Sequence, residues 1–154
     1  MRILVISDSH GNTRNIERAV ESQPEANIII HLGDGADNIV DLEFVYRDKQ
    51  FYQVAGNCDW DSSLPLEGEL KVADKTIFFV HGHEYRVKTN LQQIKMEARK
   101  RNADIVLFGH THLPITEYDD ELYLLNPGSL QYADGTYGII DITDAGISVQ
   151  IIKV

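Results

Sequence analysis

The sequence predicts an α/β (α+β) fold in which two mixed sheets face each other and helices flank them, giving a four-layer α-β-β-α sandwich. Two observations favour this fold. Apolar, strand-like runs alternate with helical patterns in the first half of the chain, and from Leu113 onward short strands follow one another with turn residues between them. A β-α-β front with an all-strand tail is typical of layered sheets that hairpins close.

Apolar runs bounded by turn residues predict the strands. In the first half they cover residues 3–6, 28–30, 51–54, 77–80 and 105–108. In the tail they cover residues 115–118, 122–125, 137–142 and 147–154. Turn signals separate the tail strands, so we expect that half to be antiparallel.

Three helices are predicted between the early strands. The first is capped by Asn12 and runs through Glu21. The second opens at Asp37 around Ile39 and Val40. The third follows a capping box at residues 89–92 and carries the apolar positions 91, 94 and 98.

Length and composition predict one compact domain over residues 1–154, because 43% hydrophobic content in 154 residues is enough for a buried core. Apolar runs stay well short of the ~20 residues that span a membrane, and the N-terminal run meets Asp8 too early for a signal peptide. The single cysteine, Cys58, excludes an intramolecular disulfide. We therefore expect an unsecreted, cytoplasmic protein without a membrane partner.

The charge balance argues against long nucleic acid as a partner. The chain has 14 basic and 24 acidic residues, a net charge of −10, whereas polyanion binding relies on Lys and Arg that neutralise phosphates. A small phosphorylated substrate is compatible with this charge, because bound divalent ions reverse the local sign in a pocket.

Short polar segments follow the predicted strands and contain the donor types of a metal site. Seven candidate ligands stand there: Asp8, His10, Asp34, Asn57, His81, His110 and His112. The carboxyl ends of crossover-connected strands meet at one edge, so these residues are expected to converge. Mixed oxygen and nitrogen donors suit manganese, iron, zinc, cobalt or nickel, and seven ligands with a bridging carboxylate favour two ions. Glycines beside them (33, 56, 82 and 109) are expected to let the backbone approach the ions.

The order of these segments resembles the calcineurin-like metallophosphoesterases, and among them the small YfcE-like phosphodiesterases of bacteria and archaea. The motifs are Asp-x-His, Gly-Asp, Gly-Asn-x-Asp, His-Gly and Gly-His-x-His, which span Asp8 to His112, followed by the Asn126-Pro-Gly-Ser129 turn. The resemblance implies the calcineurin-like fold and two divalent ions, expected to be Mn²⁺ with Ni²⁺, Fe²⁺, Zn²⁺ or Co²⁺ as alternatives. Relatives often form homodimers or larger homo-oligomers.

Residue roles follow from matching positions in that family. Asp8, His10 and His112 are expected to hold one ion, and Asn57, His81 and His110 the other. Asp34 is expected to bridge both, and the catalytic residues are expected to be Asn57, Cys58 and His81. The implied reaction is attack on phosphorus by a hydroxide that the two metals share, on a small phosphodiester or nucleotide-like substrate.

Cys58 departs from the pattern of many family members, which have His after the conserved Asn. A thiol donates a proton but offers no cationic charge to the phosphoryl group. Because the YfcE-like subgroup carries Cys here, we interpret it as a change in leaving-group preference, with a catalytic role left open.

Several other polar residues have simpler interpretations. His31 is expected to be a satisfied or supporting histidine, Asp59 to orient its neighbours and cap a turn, and Asn12 to cap a helix. His83 is open between substrate contact and a surface role. Arg86 and Lys88 are solvated by default, and Phe78 and Phe79 are expected in the core.

Two further functions compete with a phosphodiesterase. One is a non-catalytic interaction scaffold, like the retromer subunit of this fold, which the full set of ligands disfavours. The other is a phosphomonoesterase or protein phosphatase, which the short chain and the lack of sizeable insertions disfavour.

Overall fold

The computed structural model describes residues 1–35, 37–60 and 62–154, and the side chains at positions 38 and 40 lie outside the description. In chain order the elements are β1 (Arg2–Ile6), α1 (Thr13–Ser22), β2 (Ala26–His31), α2 (Asp37–Val45), β3 (Gln50–Gln53), β4 (Glu67–Val72), β5 (Lys75–Val80), α3 (Gln92–Lys100), β6 (Ile105–Leu107), β7 (Ile115–Asp119), β8 (Leu122–Asn126), β9 (Thr136–Thr143) and β10 (Gly146–Lys153). The predicted apolar position Val40 therefore lies outside the described side chains.

The strands form two mixed five-stranded sheets. The first has the order β10-β9-β1-β2-β3, in which β1, β2 and β3 are parallel, β9 is antiparallel to β1, and β10 is antiparallel to β9. The second has the order β4-β5-β6-β8-β7, in which β5, β6 and β8 are parallel. Each sheet thus contributes three parallel strands.

Alternating apolar side chains build three buried layers. Between the sheets, Ile3 and Val5 of β1 lie in one cluster with Ile77 and Phe79 of β5. The outer face of the first sheet packs on α1 and α2, with Leu4, Ile6, Ile16, Ala19, Val20, Ile39 and Leu42. The outer face of the second packs on α3, with Phe78, Val80, Val106, Ile94 and Ala98. This confirms the predicted four-layer α-β-β-α sandwich and the core positions of Phe78 and Phe79.

Helix α3 and its C-cap residue, Arg101, also make polar contacts with both edge strands of the second sheet. Arg101 pairs with Glu67 of β4 at 2.6 Å, and Lys95 pairs with Glu117 and Asp119 of β7 at 2.5 and 3.0 Å. Because partly exposed ion pairs contribute little stability, burial of the helix's apolar face dominates its attachment. Among the described residues, every helix falls short of the length and apolarity needed to cross a membrane.

The predicted cap of α1 is confirmed, and that of α3 is wrong. The Asn12 side chain accepts a hydrogen bond from the Asn15 amide at 3.1 Å. Thr89 instead belongs to a run of turns, in which its own amide donates to the Arg86 carbonyl at 2.8 Å. Helix α3 therefore begins only at Gln92, where Asn90 Oδ1 accepts from the Gln92 amide at 3.0 Å.

Two strand predictions also need correction. Strand β4 was not among the predicted strands, because it is an edge strand whose alternating Glu69 and Lys71 weaken the apolar signal. The tail is antiparallel only in part, since β8 runs parallel to β6 while pairing antiparallel with β7. The β7–β8 hairpin extends the second sheet and the β9–β10 hairpin extends the first, so each closes a different sheet.

Candidate metal centre

The loops after β1, β2, β5 and β6 are joined by backbone hydrogen bonds. The Asp8 amide donates to the Gly33 carbonyl at 3.0 Å, and the His10 amide donates to the Asp34 carbonyl at 3.0 Å. The Gly109 amide donates to the His81 carbonyl at 2.9 Å. These bonds join neighbouring loops within each sheet, and the His110 amide, which donates to Asp8 Oδ2 at 3.0 Å across 102 positions of sequence, connects the loops of the two sheets at one edge of the sandwich.

Asp8, His10 and His112 form what we call the first donor cluster, with one ligand atom from each lying within 4.8 Å of the others. His112 Nε2 is 3.1 Å from Asp8 Oδ1, and His10 Nε2 is 3.4 Å from His112 Nε2. Nitrogens bound to one ion at about 2.1 Å lie roughly 3–3.4 Å apart. Two of the three donor pairs have this spacing and the third, Asp8 Oδ1 to His10 Nε2, is 3.9 Å, so the cluster is close to the arrangement of three donors around a single cation.

Asp34, His81 and His110 form the second donor cluster, also within 4.8 Å. His81 Nδ1 donates to the Leu32 carbonyl at 2.7 Å, so in the neutral ring Nε2 carries the lone pair. That Nε2 faces two acceptor oxygens, Asn57 Oδ1 at 3.1 Å and Asp34 Oδ2 at 3.4 Å. The lone pair of Nε2 and the two oxygens repel one another. A cation between them, either a proton on Nε2 or a metal ion, removes this repulsion.

Asp34 lies between the two clusters. Its Oδ2 is 3.4 Å from His81 Nε2 and 3.8 Å from His10 Nε2, while its Oδ1 accepts from the Cys58 amide at 2.7 Å. Burial by itself raises the pKa of the Asp34 carboxyl, but the hydrogen bonds with His81 and the Cys58 amide outweigh it and hold that pKa below its ordinary value. Asp34 is therefore an anion that faces both sets of imidazoles.

Asp8 provides the clearest sign that this site suits a cation. The side chain is fully buried, and its Oδ2 accepts from Ser7 Oγ at 2.5 Å and from the His110 amide at 3.0 Å. Among the described residues, Oδ1 has no hydrogen-bond donor and faces Nε2 of His112, His10 and His81 at 3.1, 3.9 and 4.0 Å. An unsatisfied buried carboxylate oxygen is costly, and a divalent ion bound there removes that cost.

Left-handed backbone conformations are concentrated at these positions. Five of the seven predicted ligands have positive φ: Asp8 (51°), His10 (44°), Asp34 (57°), His110 (66°) and His112 (61°). Such conformations cost free energy for residues with a Cβ and persist where surrounding contacts enforce them. The hydrogen-bonded loops supply those contacts, and the left-handed conformations turn the side chains toward one another.

Asp59 organises the second donor cluster through the backbone, in the supporting position expected for it. Its Oδ2 accepts from the Asp34 and Gly56 amides at 2.8 and 2.7 Å, and its Oδ1 accepts from the Gly35 amide at 2.8 Å. The loops after β2 and β3 are thereby held together around one carboxylate.

His31 lies behind the clusters. It is fully buried, and its Nδ1 accepts from the Gly33 amide at 3.3 Å, as expected for a supporting histidine. Burial lowers the pKa of His31 to about 4, so the ring is neutral near pH 7.

Cys58, His83 and Lys88 lie near the donor clusters. The exposed Cys58 thiol lies within 4.8 Å of donor atoms on His10 and Asp34, and burial together with the Asp34 carboxylate raises its pKa, so the thiol keeps its proton.

The His83 ring is 5.4 Å from that of His81. Burial, His81 and the Lys88 charge lower the pKa of His110 to about 4. Arg86 is exposed.

Three residues near the ligands were not predicted as part of the site. Ser7 donates to Asp8, the buried Ser129 Oγ donates to the Asp8 carbonyl at 2.8 Å, and the buried Asn126 Nδ2 donates to the Gly109 carbonyl at 2.9 Å. The Asn126–Ser129 turn was noted in the sequence without a role. Its polar residues directly after an apolar strand were the available signal.

Gly109 has a role different from the expected one. A Cβ there would lie 2.0 Å from Ser7 Oγ and 2.7 Å from Asp8 Oδ2. This glycine therefore leaves room for the side chains that position Asp8, rather than for the ions themselves.

Comparison with known proteins agrees with this fold. Residues 1–145 match the family model described as the calcineurin-like phosphoesterase superfamily domain. The chain is 32% identical over 133 residues to the probable metallophosphoesterase YsnB of Bacillus subtilis, covering 85% of this chain and 76% of that protein. It is 26% identical over 168 residues to the phosphodiesterase YfcE of Escherichia coli, covering 92% and 88%.

Solved structures show the same architecture. A predicted phosphoesterase of Streptococcus pneumoniae has a TM-score of 0.83 at 25% identity, covering 99% of this chain and 88% of that one. Zinc-bound Vps29 of Entamoeba histolytica has a TM-score of 0.77 at 21% identity, covering 100% and 98%, which shows the fold alone.

The chain belongs to the calcineurin-like phosphoesterase superfamily, so it is a metal-dependent phosphoesterase whose fold class was predicted correctly. Within that superfamily it falls in the YfcE-like subgroup that the motifs indicated.

Proposed function

We propose that this protein is a phosphodiesterase that uses two divalent metal ions to hydrolyse small phosphodiesters. The observation that carries the proposal is the position of Asp34, whose Oδ2 lies 3.4 Å from His81 Nε2 and 3.8 Å from His10 Nε2. A carboxylate shared in this way suits two neighbouring ions. Asp8, His10 and His112 would hold one ion, and Asn57, His81 and His110 the other, with Asp34 between them.

The ions, when bound, would supply the attacking hydroxide by lowering the pKa of water and would neutralise charge on the phosphoryl oxygens. The chain's own residues fix where this happens. Asp59 and the Leu32 carbonyl orient Asp34 and His81, and Ser7 orients Asp8. This support preorganises the donors, so little reorganisation is needed at the moment of reaction.

A charge count favours diesters over monoesters. Two divalent ions contribute about +4, while Asp8 and Asp34 remove two charges and a hydroxide one, leaving roughly +1 against a monoanionic diester. Lys88, which lies near His110, adds positive charge at the rim only. The relative named a phosphodiesterase supports the same preference.

Asn57, Cys58 and His81 are the proposed catalytic residues. Asn57 Nδ2 donates to Cys58 Sγ at 3.3 Å, while Asn57 Oδ1 faces His81. The protonated Cys58 thiol at the opening is positioned to assist departure of the leaving alcohol.

The remaining expectations stay predictions. They are manganese as the native metal, a single domain over residues 1–154, a cytoplasmic location, the absence of long nucleic acid as a partner, and a homodimer or larger assembly. The scaffold alternative is disfavoured because all seven donor residues are present.

A chromogenic diester and monoester, assayed with Mn²⁺ and with chelator, test the proposal. We expect faster diester than monoester hydrolysis, loss of both with chelator, and at least a hundredfold decrease for Asp34→Asn. The exposed Asp48→Asn serves as the matched control and should retain full activity. Absence of hydrolysis of both esters would favour the scaffold, hydrolysis that resists chelation would contradict the metal dependence, and a monoester preference would favour the phosphomonoesterase.

A further inference from the structure

An exposed aromatic ring stands beside the first donor cluster. Tyr132 is 53% exposed, and its ring centroid lies 6.2 Å from that of His112 in an edge-on arrangement. His112 Nε2 is in turn 3.1 Å from Asp8 Oδ1. One imidazole therefore separates the tyrosine from the point where a phosphoryl group would bind.

The backbone that carries Tyr132 is held firmly to helix α1. Asn15, which is 4% exposed, donates both Nδ2 hydrogens, to the Leu130 carbonyl at 2.9 Å and to the Tyr132 carbonyl at 2.7 Å. Asn12 Nδ2 donates to the intervening Gln131 carbonyl at 3.1 Å. Three consecutive carbonyls are thus bound to one helix end, so the exposed ring is presented from a fixed position.

The surroundings of the ring differ from those on the other side of the centre. Leu113, directly after His112, is 65% exposed. On the side of the second donor cluster stand His83 and the positively charged Lys88. Leu113 and Tyr132 therefore give the side of the first donor cluster an apolar, aromatic surface.

We propose that Tyr132 is the specificity-determining residue of this site and stacks on a planar aromatic arm of the substrate, which defines the substrate class as nucleoside or aryl phosphodiesters. This inference rests on the proposed function. A ring fixed through its backbone loses little conformational entropy when it binds a flat partner. A purely alkyl arm offers no such face, whereas every nucleobase does.

Binding of adenosine 5′-monophosphate and of ribose 5-phosphate to the manganese-loaded protein tests the inference by calorimetry. The two ligands share the phosphate and the sugar and differ in the base. We expect the nucleotide to bind about fivefold tighter or more, as stacking on one aromatic ring implies. Tyr132→Ala should remove this preference while leaving ribose 5-phosphate binding unchanged, and Tyr132→Phe should keep it.

Tyr118→Ala is the matched control. Tyr118 is 60% exposed and pairs with Tyr123 in β8, three positions from the Ile115–Asn126 pair at the site end of the hairpin. An equal affinity for both ligands in the wild type, or a preference that survives Tyr132→Ala, would overturn the inference.

The same preparations are assayed with bis(4-nitrophenyl) phosphate and Mn²⁺. Absence of hydrolysis there would instead overturn the proposed function, and the substrate class with it.

Discussion

Two buried carboxylates that face imidazole nitrogens are the decisive residues of this protein. Asp8 and Asp34 are at most 3% exposed, and Asp8 Oδ1 has no hydrogen-bond donor among the described residues. Histidine nitrogens surround both carboxylates within 4.0 Å. Anions in such a position need a positive partner, which a divalent ion supplies.

Cys58→His tests the role of the residue at the opening. We expect higher turnover on esters with poor leaving groups, on the order of tenfold or more, because an imidazolium both donates a proton and adds positive charge near the phosphoryl group. The measurement is kcat across a series of aryl diesters with leaving groups of increasing pKa. Cys58→Ser, which changes the donor without adding charge, is the control. Equal or lower rates for the histidine variant across the series would refute this role.

Asp59→Asn tests whether one carboxylate organises the second donor cluster. The amide loses the charge on three backbone hydrogen bonds and turns one acceptor into a donor, so the Asp34 loop shifts. We expect Mn²⁺ affinity to fall about 10- to 100-fold, measured by titration with detection of free Mn²⁺ by electron paramagnetic resonance. Asp48→Asn controls for the loss of one surface charge. Unchanged affinity would mean that Asp59 has no part in positioning the ligands.

The helices and strands position the site through apolar packing. Helix α3 buries Ile94 and Ala98 completely against the outer face of the second sheet, where β5 and β6 precede His81 and His110. Parallel central strands that are buried on both faces have continuous apolar sequences, and for that reason they were predictable from sequence.

Ile94→Ala tests the packing of α3. We expect a loss of 2–5 kcal/mol, on the order expected for a large-to-small change in a tightly packed core, measured by urea unfolding. Met96, on the same helix, is 60% exposed, so Met96→Ala should change the free energy of unfolding by less than about 0.5 kcal/mol. Similar losses for both variants would contradict the observed packing face.

Elements whose limits depend on local competition were predicted less well. The start of α3 was placed too early because turns at residues 83–89 use backbone groups that a capping box would have needed. Strand β4 has polar residues on alternate positions and is stabilised by pairing with β5 in a hairpin, across the two-residue turn at Ala73 and Asp74. The apolar periodicity of residues 67–72 alone does not indicate that pairing.

At the scale of the whole molecule, the site is an assembly of loops from two sheets. The five polar segments were predictable because each follows an apolar strand and uses residue types with known metal chemistry. The orienting contacts were not, because Ser7, Asn126 and Ser129 act through hydrogen bonds whose partners only folding brings near.

Removal of metal should lower the stability of the entire fold. Ions that bind the native state and bring together loops of both sheets stabilise it by ~2.7 kcal/mol at a concentration a hundred times the Kd. We expect a higher Tm with Mn²⁺ than with chelator, and a smaller difference for Asp34→Asn. A Tm that is independent of Mn²⁺ would contradict coupling between the centre and the fold.

Anomalous diffraction from crystals soaked in Mn²⁺ tests the central claim most directly. The predicted result is two peaks about 3.5–4 Å apart, with Asp34 in contact with both, Asp8, His10 and His112 around one, and Asn57, His81 and His110 around the other. A single peak, or a pair that Asp34 does not bridge, would contradict the account.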